Sequence, residues 1–367
     1  MKLLVNSARI LVGGLFVFSG LVKAIDPLGL AYKMQEFFEV WSSITIIKNL
    51  MIYLNEQALL FSILIITLEV ILGISLLLGW RTKMISWLLL LLTLFFTFLT
   101  SYVLFSDKIR SCGCFGDCIP LTPIQTFIKD IVLLALVILI LYGNKYLKPV
   151  FSNTLNILFF LFSLITVLGL QWYVLKHLPV KDCLPFKVGN NILELRKMPK
   201  DAIPDKFDYS FVYKKNGVNK DFNVTALPDS SWEFVDRKQI LIEKGKNNTP
   251  LINDFILKTE NGNDTTEAIL NNSGDYFLIL ANDFNKSKDA WYATFNKFYY
   301  NTKEPVYLVT SDPATAKKIF SIKGLIILAC DVTAIKTAAR VNPTLFLMNG
   351  AVIKSKHSAI DYFKLNN

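Results

Sequence analysis

Five long apolar runs follow one another in the first half of this chain, and a chain so built does not fold as an ordinary water-soluble globule. Stretches such as Leu59–Leu78 and Ile131–Leu141 come in series within residues 1–178. At 1.5 Å rise per residue, roughly 20 apolar residues cross a bilayer. The runs predict spans at about Leu3–Ile25, Ala58–Gly79, Met84–Phe105, Ile124–Tyr142 and Phe151–Leu175. The first run is too long, and too poorly matched to a small-residue cleavage site, to read as a removed signal peptide. The second half is rich in Lys, Asn and Asp, so the mean hydropathy of +0.42 averages two unlike regions.

Charges inside and between the spans carry the next inferences. Arg81 and Lys83 lie between spans two and three, and Lys145 and Lys148 between spans four and five. Basic loops stay on the cytoplasmic side. The expected location is therefore a bacterial cytoplasmic (inner) membrane, with the N-terminus inside and the C-terminal domain periplasmic. Lys108 and Arg110 oppose this mildly. Membrane lipid is one expected partner. The net charge of +10 is scattered among acidic residues without an Arg-rich stripe, so nucleic acid is not an expected partner. Arg9 and Glu69 lie inside spans, where a charge is costly and turns to the bundle interior. Pairing of Arg9 with Glu69 is favoured over a proton-relay role for Glu69, and Lys23 is expected to snorkel at the end of span one. Gly13, Gly14 and Gly20 offer small surfaces for close helix contact. Between Asp26 and Gln57, the segment Tyr32–Trp41 reads as an amphipathic helix on the membrane surface.

Three of the five cysteines fall in Cys112-Gly113-Cys114-Phe115-Gly116-Asp117-Cys118, on the same expected face as the C-terminal region. Cysteine chemistry is thiolate chemistry: disulfide exchange, metal ligation or nucleophilic attack. A Cys112–Cys114 bond would be strained and oxidising; Cys118, four residues beyond Cys114, is a second possible partner. Arg110 favours a thiolate and Asp117 opposes it. Cys183 follows span five at nearly the same level, which suggests a shuttle with the loop; a lone thiol or a static disulfide is the plainer alternative. Cys330 follows an apolar strand and reads as a buried structural thiol. The candidate redox residues are Cys112, Cys114, Cys118 and Cys183. A soft-metal site for copper(I) or zinc is a further reading. His177 and His357 are the only histidines, and no Cys-x-x-Cys-His is present, which argues against haem.

The segments Arg9–Ala24, Leu68–Gly73 and Cys112–Gly116 resemble DoxX-like membrane proteins and, through the cysteine loop, the methylamine utilisation protein MauE, over about residues 1–145. The resemblance implies a four-helix bundle, somewhat like vitamin K epoxide reductase, and a link to maturation of a disulfide-rich enzyme. It also implies a quinone as electron acceptor; no motif in the residues identifies one. Client protein thiols outside the cytoplasm would be the partners.

The second half mixes patterns. Tyr209–Tyr213 and Phe222–Thr225 alternate as strands; Phe255–Leu257, Tyr276–Leu280, Pro305–Thr310, Leu325–Leu328, Thr344–Met348 and Ala351–Lys354 read as further strands. Ser287–Tyr300 and Ala314–Phe320 read as helices, and the alternation implies an α/β sheet. Val341–Val352 is similar to the cis-proline strand and hairpin of thioredoxin folds, and residues 250–285 are similar to the entry of TlpA-like and peroxiredoxin-like domains. That resemblance implies a cis Pro343, with Pro343 and Thr344 docking extended substrates. The usual Cys-x-x-Cys is replaced by Ala281-Asn282-Asp283-Phe284-Asn285-Lys286. The expected fold is a membrane bundle of four helices plus a fifth span, followed by a thioredoxin-like domain without its own redox pair. Its expected parts are residues 1–145, a fifth span at 146–178, a strand-rich connection at 179–249 and the α/β domain at 250–367. Two functions remain open: a thiol–disulfide oxidoreductase, or a non-enzymatic assembly or docking protein whose loop cysteines form a structural disulfide or bind metal.

Overall fold

The computed structural model describes the chain except Asp107, Arg110, Ser111, Cys112, Cys114, Phe115, Asp117, Lys244, Asp283, residues 285–290, Asn366 and Asn367. Among the described residues, five helices are long and apolar enough to cross a membrane: α1 (Lys2–Ala24), α4 (Ala58–Leu78), α5 (Thr82–Ser106), α6 (Pro123–Tyr142) and α7 (Asn153–His177). Two shorter helices, α2 (Pro27–Trp41) and α3 (Lys48–Glu56), lie between the first two spans. Local chemistry sets the ends. Asp26 accepts the Gly29 amide and Pro27 opens α2; Thr122 and Gln125 form a reciprocal capping box at α6, with Pro123 at its first position. Gly79 closes α4 in the left-handed region, φ 67°.

Helix α1 runs antiparallel to α4, and glycine allows the contact. A side chain at Gly13 would come within 2.6 Å of Leu77, and one at Gly73 within 2.9 Å of the Gly13 carbonyl. Gly20 packs on Val70 in the same way, whereas Gly14 faces open space. This register overturns one expectation. Arg9 lies opposite the end of α4, where its Nη2 donates to the Leu77 carbonyl at 2.6 Å and its Nη1 to the Lys148 carbonyl at 3.3 Å. It therefore caps a carbonyl that the end of α4 leaves unpaired and ties it to the loop before α7. Glu69 is eight residues back along α4 from Leu77, about 12 Å away at 1.5 Å per residue. Its partner is Lys23, at 2.6 Å and 2.8 Å to the two carboxylate oxygens, with Ser19 donating at 3.0 Å. Lys23 does not snorkel to the surface; it is 2% exposed.

Helix α7 is more than a carrier of the chain across the membrane. It packs on α4, and Gln171 Nε2 donates to Thr67 Oγ1 at 3.0 Å. Helix α2 is likewise more than a surface helix. Phe37, Phe38 and Trp41 pack against Phe61 of α4 and against Phe98 and Tyr102 of α5.

Beyond α7 come α8 (Ile192–Leu195) and a three-stranded antiparallel sheet of β1 (Lys206–Lys215), β2 (Val218–Asn223) and β3 (Glu233–Glu243), in the order β2-β1-β3. The last part holds α9 (Thr266–Leu270), β4 (Asp275–Leu280), α10 (Tyr292–Asn301), β5 (Val306–Thr310), α11 (Pro313–Ile319), β6 (Ile326–Ala329), α12 (Val332–Ala338), β7 (Thr344–Asn349), β8 (Val352–Ser358) and α13 (Ala359–Leu365). Its five strands run β6-β5-β4-β7-β8, with β4, β5 and β6 parallel and β7 and β8 antiparallel. One face buries Leu278, Leu280, Phe346 and Met348; the other buries Ile279, Leu308 and Leu345 under α10 and α13. Phe255–Leu257 is not a strand. Phe255 and Leu257 are buried in the core, and only Lys258 bridges, to Ala329 and Asp264. The Asn342–Pro343 bond is cis, as the resemblance implied.

Breaking a buried ion pair strands a charge, at about 3–5 kcal/mol. Lys23→Met is therefore expected to lower the unfolding free energy in detergent by about 3–5 kcal/mol, and Lys23→Met with Glu69→Leu to recover most of it. Denaturant titration of the three proteins checks this; a double variant as weak as the single one would show that the pair is not the cause.

Candidate functional site

Of the cysteine loop, Gly113 lies against the first half of α2 and Gly116 against the end of α1. Gly113 and Gly116 take left-handed conformations, φ 68° and 59°, and the Gly116 amide donates to the Gly113 carbonyl at 2.9 Å. Gly113 faces the Lys33 side chain and Gly116 faces Val22. Cys118 is bonded to Cys183, 65 positions on in sequence, with Cα atoms 4.9 Å apart. Both residues are half-buried. Cys112 and Cys114 lie outside the described residues. With Cys118 and Cys183 joined to each other, neither sulfur is free to serve a metal.

Cys183 is held by its neighbours. Asp182 Oδ1 accepts the Leu184 amide at 3.0 Å, and Oδ2 accepts from Lys356 Nζ at 2.7 Å. Lys356 also donates to the Phe186 carbonyl at 3.4 Å, and the Phe186 ring is buried against Phe255 and Phe346. Burial pushes the Lys356 ammonium down, against the pull of Asp182. The disulfide thus joins the membrane loop to the core of the soluble part.

A second junction lies on α2. Arg340 Nε donates to Asp26 Oδ2 at 2.8 Å, and Lys336 Nζ donates to Gln35 Oε1 at 3.2 Å. Lys336 and Arg340 both sit over the Tyr32 ring, 5.2 Å and 5.3 Å from its centre. Burial raises the Tyr32 hydroxyl above its usual range, opposed by Arg340. Arg340 leads directly into Asn342-Pro343. Asn342 Oδ1 accepts the Asn282 amide at 2.7 Å, which links this loop to the end of β4. Pro343 and Thr344 are buried, and the Thr344 hydroxyl donates to the Val341 carbonyl at 2.6 Å. At the end of α7, His177 Nδ1 meets Asp361 Oδ2 at 2.6 Å.

Below the loop, Ser19, Lys23, Glu69, Thr93, Lys129 and Asp130 converge on one cavity, with Phe16, Phe96 and Leu133 as apolar walls. Asp130 accepts from Thr100 at 3.0 Å and pairs with Lys129 at 2.8 Å. The space open to a water-sized molecule is about 20 Å³, room for a single water.

Sequence reasoning missed Lys23 as a partner, Asp130, and the junction residues Asp26, Tyr32, Lys336 and Arg340. Asp130 was open to the rule that flagged Glu69, since it too lies in an apolar run. Nothing local marks Arg340. Cys330 is buried as expected, and burial pushes its thiol up to about 12.

These features define a multi-pass membrane protein whose helical bundle is covalently tied to a mixed α/β soluble part. Residues 1–143 match the family described as Methylamine utilisation protein MauE. Residues 207–244, the β1–β3 sheet, match a domain of unknown function. Protein TlpB of Flavobacterium psychrophilum is 38% identical over 85 residues, which cover 22% of this chain and 23% of TlpB. The match therefore spans under a quarter of that relative. No solved structure matches.

A thiol raised to about 12 stays protonated near neutrality, and protonated thiols alkylate poorly. Native protein at pH 8 should leave Cys330 unlabelled by iodoacetamide, and denatured protein should label it. Cys183→Ser should expose Cys118 to a maleimide mass tag on native protein. Mass spectrometry of tryptic peptides reads both outcomes.

Proposed function

We propose that this chain is a membrane thiol–disulfide redox protein that supports disulfide formation in, or maturation of, extracytoplasmic proteins. The observation that carries this reading is the Cys118–Cys183 bond, which joins the loop of the MauE-matching half to the start of the soluble half. A disulfide between two partly exposed residues is of the kind that exchanges with incoming thiolates. Cys112 and Cys114 precede Cys118 by six and four residues in sequence. Client thiols that reduce Cys118–Cys183 would leave a dithiol there, and that dithiol would re-form its bond by reducing a Cys112–Cys114 disulfide to two thiols.

The soluble half is read as a thioredoxin-like domain. The strand order β6-β5-β4-β7-β8 supports this, as does the Asn342–Pro343 loop against the end of β4. That loop meets Asn282 where such folds carry a cysteine pair. The domain brings no pair of its own; a sulfur pair stands at its border instead. Pro343 and Thr344 would help to place a client chain. We read the soluble half as lying outside a bacterial cytoplasmic membrane, with the N-terminus inside. In support, the loops bearing Arg81 and Lys83, and Lys145 and Lys148, meet at the opposite end of the bundle through Thr82 and Asn144.

A quinone is the acceptor proposed from the resemblance. The polar cavity below the loop is too narrow for a quinone ring, and no step is assigned to one there. The second reading is a docking protein in which Cys118–Cys183 is a permanent staple. The missing Cys-x-x-Cys of the soluble half favours it.

Thiol trapping in intact membranes separates the two. Under the redox reading, mild reductant opens the Cys118–Cys183 bond, added quinone restores it, and Cys114→Ser slows the return. A bond that stays closed until the protein unfolds would establish the staple.

A further inference from the structure

The soluble part is seated on the bundle at separate places of unlike chemistry. One is covalent, the Cys118–Cys183 bond. Another is polar: Arg340 on Asp26, Lys336 on Gln35, and both cations over Tyr32. Without the bond, the chain joins the two parts only through Leu178–Pro185, at the end of α7 where His177 meets Asp361. That segment leaves the helix abruptly, with Leu178 at φ 84°. Polar contacts of this kind are those of interfaces that open, and a second tether multiplies their occupancy by raising the local concentration of the two faces.

We propose that Cys118–Cys183 is a latch: while it is closed the soluble part stays seated on α2, and its reduction frees the part to lift away about the end of α7. Lifting bares the Arg340–Pro343 loop on one side and the Asp26–Tyr32 face on the other. The chemistry balances with a dithiol as reductant. One of its sulfurs attacks the Cys118–Cys183 bond and displaces a thiolate, and its second sulfur closes the reagent's own disulfide. Two electrons and two protons end on Cys118 and Cys183. The charges at the junction come from both sides: Asp26 and Lys33 from the start of α2, Lys336 and Arg340 on or beside α12, and Asp182 and Lys356 beside Cys183. The latch does not depend on catalytic turnover, so it stands apart from the redox reading above.

Hydrogen–deuterium exchange on the full chain in lipid nanodiscs tests it. In oxidised protein, amides of residues 27–41 and 332–343 are expected to be protected. Reduction with a dithiol, or Cys183→Ser, should speed their exchange on the order of a hundredfold. Core amides of β4 and β7 should keep their protection, which separates lifting from unfolding. Arg340→Glu should speed exchange further in reduced protein. Equal protection at α2 and α12 in oxidised protein, reduced protein and Cys183→Ser would overturn the latch.

Discussion

The contact between α1 and α4 sets the position of the platform on which the soluble part sits. Small residues let the two backbones approach, and the antiparallel register then brings Lys23 to Glu69. In an apolar interior neither charge is tolerable alone, so the pair admits little sliding of one helix along the other. Asp26 follows Lys23 by three residues, and α2 begins there. The buried pair therefore fixes where α2 starts. The direction of α2 is fixed in turn by Phe37, Phe38 and Trp41 packing into the bundle.

From that platform the soluble part takes its seat. Asp26 caps α2 and also receives Arg340, so one carboxylate starts a helix and anchors a domain. Tyr32, further along α2, lies under two cations. Gly113 and Gly116 lie on α2 and on the end of α1, and Cys118 beyond them bonds to Cys183 in the segment after α7. Sulfur pairing and domain docking are thus consequences of one helix platform, and a change in either is felt by the other.

The soluble core explains why the border matters. Phe186, only three residues past Cys183, is buried against Phe255 and Phe346. Lys356 reaches from β8 to Asp182 and to the Phe186 carbonyl. Cys183 is therefore tied through Asp182 to β8 and lies next to the buried Phe186. Cys330 is sealed in the same core with its thiol held neutral, and it is isolated from exchange.

The apolar runs alone determined the five spans, because bilayer thickness leaves a helix of that composition no other stable place. Span boundaries agree with the helices to within two residues, since apolar length and the Pro and Gly signals are local. In the second half the strands β1, β4, β5, β6, β7 and β8 and the helices α10 and α11 were legible from local pattern, whereas β3, α8, α9, α12 and α13 were not, and Phe255–Leu257 was misread as a strand. What tertiary structure decided is who meets whom. Arg9 and Glu69 were both visible as charges in the membrane, but which partner each takes follows from helix register, which depends on Gly13, Gly73 and their neighbours together. Cys118 and Cys183 were both visible as thiols; their union needed the loop, α7 and the sheet edge to converge. The junction of Arg340 with Asp26 joins residues 314 positions apart, and no local pattern encodes a contact that exists only once two folded parts are brought together.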